Sequence, residues 1–413
     1  MNICVLSLVT EWHGVTGGME VHGRLLTRGL AALGHDVTVV ATGHPGGIAG
    51  ETREGVRLHY LERTRFGSQR GRWAAECSAR VGALHAERPF DVVCAQQGIV
   101  PGRLLDLCRR GGPALVALLE GHEALMVLSE VRQAVSHRRG VDRLPRALAA
   151  FAYHYLTWEL PLLRAADRVI AVSDQVARSA RRWFGVPRDR LDVVYNGVDT
   201  AVFAPDPAAR AATRARLGAR GPLLLHLSAL TRQKGVHVLL RALPAVLAAC
   251  PDVSVAVAGD GGYAREARAL ARSLGVGHAV RFLGAVDHAD VPAYLAACDV
   301  FVLPTLRQEG LPFAVLEAMA CARPVVVSRI GGVPSVVRDG DNGLLVPPGD
   351  ERALAVAVTR AVSDLALAER LGASARATIE GGHSAGAMVG GTLRSFERAL
   401  AGRRHAPGLA PAR

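Results

Sequence analysis

Lysine is almost missing from this chain. Of 49 Lys and Arg residues, Lys234 alone is lysine. The arginine habit, together with abundant Ala and Gly, matches a GC-rich coding bias, so most arginines need no functional account. The lysine kept in LTRQKG does need one. Aromatic residues make up 5% of the chain, too few for a platform that stacks bases, and no RNA- or DNA-binding motif is present. The formal net charge of +12 therefore points away from nucleic acid, towards a phosphate-bearing ligand or an anionic lipid surface. The seven cysteines (Cys4, Cys77, Cys94, Cys108, Cys250, Cys298, Cys321) form no C-x-x-C pair. Scattered through apolar surroundings, they are expected to be reduced, mostly buried thiols of a cytosolic protein. MNICVLSLVTEWHG has no basic n-region and no cleavage site. No charge-free apolar stretch is long enough to span a bilayer. The expectation is a cytoplasmic protein, at most peripheral at the inner face of the membrane.

What is present is one pattern written twice. NICVLSLV, TEWHGVTGG, MEVHGRLLTRGLAALG and HDVTVVA read as apolar strand, glycine loop, amphipathic helix and second strand. In that helix Val21, Leu25, Leu26, Leu30 and Leu33 recur at helical spacing, and Gly34 closes it. This is a βαβ unit of a parallel sheet. Further strands are expected at 91–95, 114–119, 168–172 and 191–195. Around residue 200 the pattern breaks in DTAVFAPDPAARAATRARLGARGP, then restarts with PLLLHLSA, VHVLLRALPAVLAA and VSVAVAG. DVFVLP, RPVVVS and GLLVP supply later strands. At 413 residues the chain suits two domains. The predicted fold is α/β, two Rossmann-like doubly wound parallel-sheet domains facing across a cleft. Their expected spans are 1–200 and 201–383, followed by a helix over 384–403 crossing back to the first domain and a disordered tail over 404–413.

EGLPFAVLEAMACARPVVV carries the most specific chemistry. Glu309 ends a loop after a strand, and Glu317 lies eight residues on, in the helix that starts near Pro312. Ionised carboxylates only accept hydrogen bonds, and sugars offer donors, so such a pair at the carboxyl edge of a sheet suits hydroxyl-rich ligands. The helix amino end near Leu311 adds N–H groups and a positive dipole for an anion. The plainer alternative is a loop charge and a solvated helix residue.

In order along the chain, GGMEVHGRLLTRGLAALGHDVTVV, VIAVSDQVARSARRWFGVPRDRLDVVYNGVD, KGVHVLLRAL, VAGDGGY, VRFLGAV and the E-x7-E stretch through GLLVPPGD resemble the retaining glycosyltransferases of glycosyltransferase family 4, which have the GT-B fold. The resemblance implies transfer of a hexosyl group from a nucleotide-sugar donor to a hydroxyl acceptor (a glycan, a lipid-linked glycan or a small-molecule glycoside), keeping the anomeric configuration. It implies that Glu309 contacts donor-sugar hydroxyls, with Gly310 and Leu311 beside it, and that Glu317 binds the ribose. Gly17 and Gly18 would let backbone approach the donor diphosphate or the acceptor. Lys234 would bind the diphosphate, Gly259 and Asp260 would belong to the nucleotide-side loop, and His122 in LLEGHE would stand near the reacting sugar.

The lone lysine then has a mechanistic reading. Cleaving the bond between sugar and diphosphate builds charge on the leaving oxygen, and a compact ammonium on a flexible stem can follow it where a planar guanidinium aims wrongly. The pattern departs from the family at one point. SALTRQKG places Ala229 where an arginine usually grips the diphosphate, so either Arg232 reaches in, or another cation replaces it, or the donor is held more weakly.

No metal or other cofactor is expected. DGD at Asp339–Asp341 fits D-x-D literally but sits among ordinary turn formers. Arg281–Gly284 is expected to flank the base. Arg132, Arg138, Arg139, Arg143 and Arg146 precede Phe151, Tyr155, Trp158 and Leu162 at helical spacing. This reads as a contact with anionic lipid or, more plainly, as core aromatics beside a solvated basic face. Two alternatives to transfer stay open: a nucleotide-sugar epimerase of the same architecture, and a non-catalytic nucleotide-sugar binder.

Overall fold

The computed structural model describes residues 1–14, 17–96, 100–121 and 144–404. They form two compact units. The first takes in Met1–Asn196 and the segment from Ala385 on, the second Gly197–Ser384.

The first unit carries β1 (Asn2–Leu6), β2 (Asp36–Thr42), β3 (Gly50–Arg53), β4 (Val56–Leu61), β5 (Val92–Gln96), β6 (Ala114–Leu119), β7 (Arg168–Ala171) and β8 (Leu191–Val193). They lie in the order β3-β4-β2-β1-β5-β6-β7-β8, parallel except for the β3–β4 pair. Its helices are α1 (Gly18–Ala32), α2 (Trp73–Glu87), α3 (Gly102–Arg109), α4 (Leu144–His154), α5 (Leu160–Ala165) and α6 (Asp174–Phe184). The continuous apolar runs explain the sheet: β1, β5 and β6 are buried along their whole length, as strands covered on both faces must be.

The second unit carries β9 (Leu223–Leu227), β10 (Ser254–Ala258), β11 (Val280–Gly284), β12 (Val300–Leu303), β13 (Val325–Ser328) and β14 (Leu344–Val346). Its helices are α7 (Pro207–Leu217), α8 (Val236–Ala249), α9 (Ala264–Ser273), α10 (Val291–Ala297), α11 (Phe313–Ala320), α12 (Glu351–Ser363) and α13 (Leu365–Gly382). Its sheet is parallel throughout, in the order β11-β10-β9-β12-β13-β14. This is the doubly wound order, and its direction reverses between β9 and β12. In the first unit the reversal falls between β1 and β5. A ligand of such a sheet binds outside the carboxyl ends of the two strands that flank the reversal.

The final helix, α14 (Ala385–Arg404), belongs to the first unit. Arg398 and Ser395 bind Asp192 at 2.6 and 2.7 Å, and Arg403 reaches Asp167 at 2.8 Å. Gly29 of α1 faces Val389 so closely that an added methyl would meet its side chain at 2.5 Å.

Several details differ from the sequence reading. The β3–β4 hairpin in ETREGVRLHYL was not anticipated. Its turn needs φ of 51° at Glu54 and 79° at Gly55, a two-residue geometry usually written Asn-Gly. Leu33 is 57% exposed, because α1 ends at Ala32 and Leu33 is its cap. The spacing of Phe151, Tyr155, Trp158 and Leu162 crosses a π-helical turn, Tyr155–Glu159. Leu162 is fully buried, while the half-buried Phe151 and Tyr155 stack at 5.6 Å and Tyr155 meets Phe184 at 5.0 Å. Arg132, Arg138, Arg139 and Arg143, like 405–413, lie outside the described residues, and of Arg146 only the backbone, in α4, is described. All seven cysteines are unpaired, and all but Cys250 are buried. No helix among the described residues is long and apolar enough to cross a membrane.

Candidate functional site

At the reversal point of the second sheet, β9 delivers the chain to a single 3-10 turn, Arg232–Lys234, closed by Gly235 with φ 78°. Only glycine fits there twice over: the φ is left-handed, and a methyl would overlap the carbonyl oxygen of Pro304. This close approach presses the turn onto the segment that leaves β12. Leu306 N donates to Gln233 O at 2.7 Å, and Thr305 Oγ1 lies 3.2 Å from the same oxygen.

The two segments bring Lys234 and Glu309 together. Lys234 Nζ stands 2.7 Å from Glu309 Oε1, with side chains 19% and 11% exposed. Thr305 Oγ1 reaches that oxygen at 3.1 Å. No described residue holds Glu309 Oε2. From the other side, Gly332 N donates to Glu309 O at 2.9 Å, and Gly331, with φ 59°, leaves no room for a side chain against the Glu309 backbone. One oxygen is thus committed and the other presented. Two poorly hydrated charges offset each other's desolvation, so removing either strands its partner.

Below this pair, His226 in β9 is fully buried. Its Nδ1 lies 3.0 Å from Val302 O, and its Nε2 lies 2.9 Å from Ser228 Oγ. Burial, with the Lys234 ammonium adding to it against the bond to Val302, pushes the imidazole down to about 4. A neutral ring therefore braces β9 against β12 where the reversal falls.

Glu317 projects from α11 and is 3% exposed, not the solvated helix residue that its place in the sequence also allowed. Its Oε1 lies 2.9 Å from His288 Nε2. Pro312 precedes the helix as its cap, and Leu311 is buried with Gly310 half-buried beside it. The loop of Gly259 and Asp260 folds back on Ser228 and Leu230. Leu230 N donates to Asp260 O at 2.8 Å, Tyr263 N donates to Leu230 O at 2.9 Å, and Gly259, with φ 128°, would collide with Ser228 O if it carried a side chain. Arg232 and Ala229 are exposed. Arg281 donates to Arg216 O at 3.2 Å. The D-x-D loop is tied as a turn: Asp339 pairs with Arg329 and accepts from Leu345 N, and Asp341 pairs with Arg338.

In the first unit, Gly17 caps α1 and Gly18 opens it. The amino end is already furnished, because the Glu20 carboxylate stands 2.5 Å from where a Gly17 side chain would begin. Burial pushes that carboxyl up, with Glu120 and Glu11 adding to it, and the N–H groups of Glu20 and Gly17 pull against them. Beside it Glu120 pairs with His22 at 3.2 Å, both buried, and accepts from Gln96 Nε2 at 2.7 Å. His122, two residues beyond Glu120, lies outside the described residues. Sequence reasoning missed Thr305, His226, His288, Glu20, His22, Gln96 and Glu120. For most of them the available signal was a polar residue standing at or just after the carboxyl end of an apolar strand.

Known proteins resemble the chain along most of its length. Residues 16–202 match the model of Glycosyltransferase Family 4, and residues 221–364 match that of Glycosyl transferases group 1. A GDP-mannose-dependent alpha-(1-6)-phosphatidylinositol monomannoside mannosyltransferase of Mycolicibacterium smegmatis is 36% identical over 258 residues, 59% of this chain and 66% of that protein. A glycogen synthase of Mycobacterium tuberculosis is 30% identical over 385 residues, 88% of this chain and 86% of that protein. Among solved structures, sucrose-phosphate synthase from Thermosynechococcus elongatus matches with a TM-score of 0.78 at 23% identity, covering 97% of this chain and 99% of that one. Anabaena HepE in complex with UDP and glucose matches at 0.73 and 22%, covering 96% and 99%. With two parallel α/β units, each doubly wound, and relatives aligned along most of its length, the chain belongs to glycosyltransferase family 4 and has the GT-B fold.

Proposed function

We propose that the protein is a retaining hexosyltransferase that uses a nucleotide-sugar donor and a hydroxyl acceptor, a sugar or a lipid-linked saccharide, without a resident metal. The observation that carries this reading is the Lys234–Glu309 pair at the reversal point of the second sheet, 2.7 Å apart and largely shielded from water. Lys234 is the leaving-group residue. Its ammonium rotates from Glu309 towards the diphosphate as the glycosidic bond lengthens, and so meets charge where it develops. Glu309 Oε2 accepts from donor-sugar hydroxyls, and Glu317 accepts from the ribose. Glu309, held through Oε1 by Lys234 and Thr305, is assigned to binding the donor sugar and not to a covalent glycosyl intermediate. The acceptor attacks on the face from which the diphosphate leaves, and its proton passes to the departing diphosphate. Positioning and electrostatics do most of the work.

The test is a panel of UDP-, GDP- and ADP-hexoses with saccharide and lipid-linked acceptors, followed by release of nucleoside diphosphate. The anomeric configuration of the product is read by NMR. Acceptor-dependent release with retained configuration, lost in Lys234→Ala, is expected. An inverted product would refute retention. An isomerised sugar nucleotide formed without acceptor would make the protein an epimerase, and tight nucleotide binding without turnover would make it a binder.

A further inference from the structure

His288 has no part in the chemistry above, yet it holds Glu317. It opens a 3-10 turn, His288–Asp290, between β11 and α10, and Asp287 caps that turn by accepting from Ala289 N at 3.0 Å. The ring is therefore carried on a fixed backbone. Its Nε2 meets Glu317 Oε1 at 2.9 Å, and its face lies against Phe203, with centroids 5.6 Å apart. Phe203 is 4% exposed. The Arg376 guanidinium donates to the carbonyl of Phe203 and, through the same nitrogen, to that of Ala320, both at 2.6 Å. Ala320 is the last residue of α11, the helix that presents Glu317. One arginine thus clamps both ends of the path Phe203–His288–Glu317.

We propose that His288 is a positioning residue for nucleotide recognition: it engages Glu317 Oε1 so that Oε2 alone is aimed at the ribose diol of the donor. This rests on the role given to Glu317 above and adds to it a residue and a discrimination. A carboxylate anchored through one oxygen has a fixed lone-pair direction at the other. Without the imidazole the side chain turns within its pocket and rewards a 2′-hydroxyl less. A hydrogen bond to a charged group is stronger than one between neutral groups, so the preference for ribose over deoxyribose is expected to fall by about 10-fold or more.

Titration calorimetry of the full chain with UDP, GDP and ADP, each beside its 2′-deoxy form, tests this. Wild type is expected to favour the ribo form by about 10-fold or more in the pair that binds. His288→Phe keeps a ring against Phe203 but has no N–H, and it should bring the ratio close to one. His288→Gln restores a donor and should keep most of the preference. Thermal unfolding of both variants reports whether packing survived. A ratio unchanged in a folded His288→Phe, or equal weakening of both nucleotides, overturns the role of His288 and leaves the transferase reading standing. Failure of wild type to bind any of the six overturns both. If His288→Phe does not fold, loss of the preference in His288→Gln overturns the proposal and its retention supports it.

Discussion

The two sheets reverse direction in the same way, and the chain furnishes the two reversal points with different charged groups. In the second unit an ammonium stands beside a carboxylate that keeps one oxygen open. In the first, two shielded carboxyl groups lie close to each other: Glu120 is paired with His22, and Glu20 is held at the amino end of α1. Topology decides where a ligand sits, while side chains decide its sign. The second point suits an arriving anion. The first, as it stands, suits a group that donates hydrogen bonds.

The sharpest way to break this contrast is to remove the cation. Lys234→Ala should slow transfer by about 10²–10³-fold, the usual loss for one preorganised donor, with thermal stability measured alongside. Lys234→Arg should fall well short of wild type, because the fork cannot track the leaving oxygen; full activity in that variant would remove the reason for the lone lysine.

Next is the brace beneath it. Burial holds His226 near 4 against an ordinary 6.5. Below pH 6.5 the unfolded chain takes up a proton that the folded ring refuses. Stability present above 6.5 therefore drains away as pH falls towards 4, by up to about 3 kcal/mol. The difference in urea midpoints between wild type and His226→Asn, followed from pH 7 to 4, should show this slope.

A third comparison sets glycine against glycine. Gly235→Ala drives a methyl into a backbone carbonyl at positive φ and should cost upwards of about 3 kcal/mol. Gly17→Ala, at φ −139°, meets only the movable end of Glu20 and should cost under about 1 kcal/mol. Thermal melts of the two variants measure the gap.

The smallest effect is expected from Glu20→Gln. Burial raises this carboxyl by more than the helix amino end offsets, so its ionisation works against folding, and thermal melts should find the variant slightly more stable at pH 7, by under about 1 kcal/mol. That gain should vanish at low pH, where wild type is protonated too.

Much of the fold was legible because buried parallel strands announce themselves as unbroken apolar runs, as in ALVALL and VFVL. The β3–β4 hairpin was not, since Glu54 in its turn is an unusual residue for left-handed backbone. Lys234, Glu309 and Glu317 were each singled out from sequence, but their partners were not. Thr305 and His288 acquire meaning only when the segment after β12 meets the turn after β9, and when the turn after β11 meets α11. These juxtapositions span 71 residues from Lys234 to Thr305 and 29 from His288 to Glu317, and no local periodicity encodes them. His226 likewise reads as one more position in an apolar strand until its two bonds are seen.

The seating of α14 has a consequence for biogenesis. The first unit is assembled from both ends of the polypeptide, so during synthesis its sheet emerges early and waits, with the groove beside Gly29 and the acidic anchors Asp167 and Asp192 uncovered, until the ribosome has made everything up to Arg403. Domains generally fold as they emerge, which favours the second unit maturing first, although it is encoded later. A nascent chain stalled before residue 385 would then carry a finished second unit and an incomplete first one, the form on which chaperones would act.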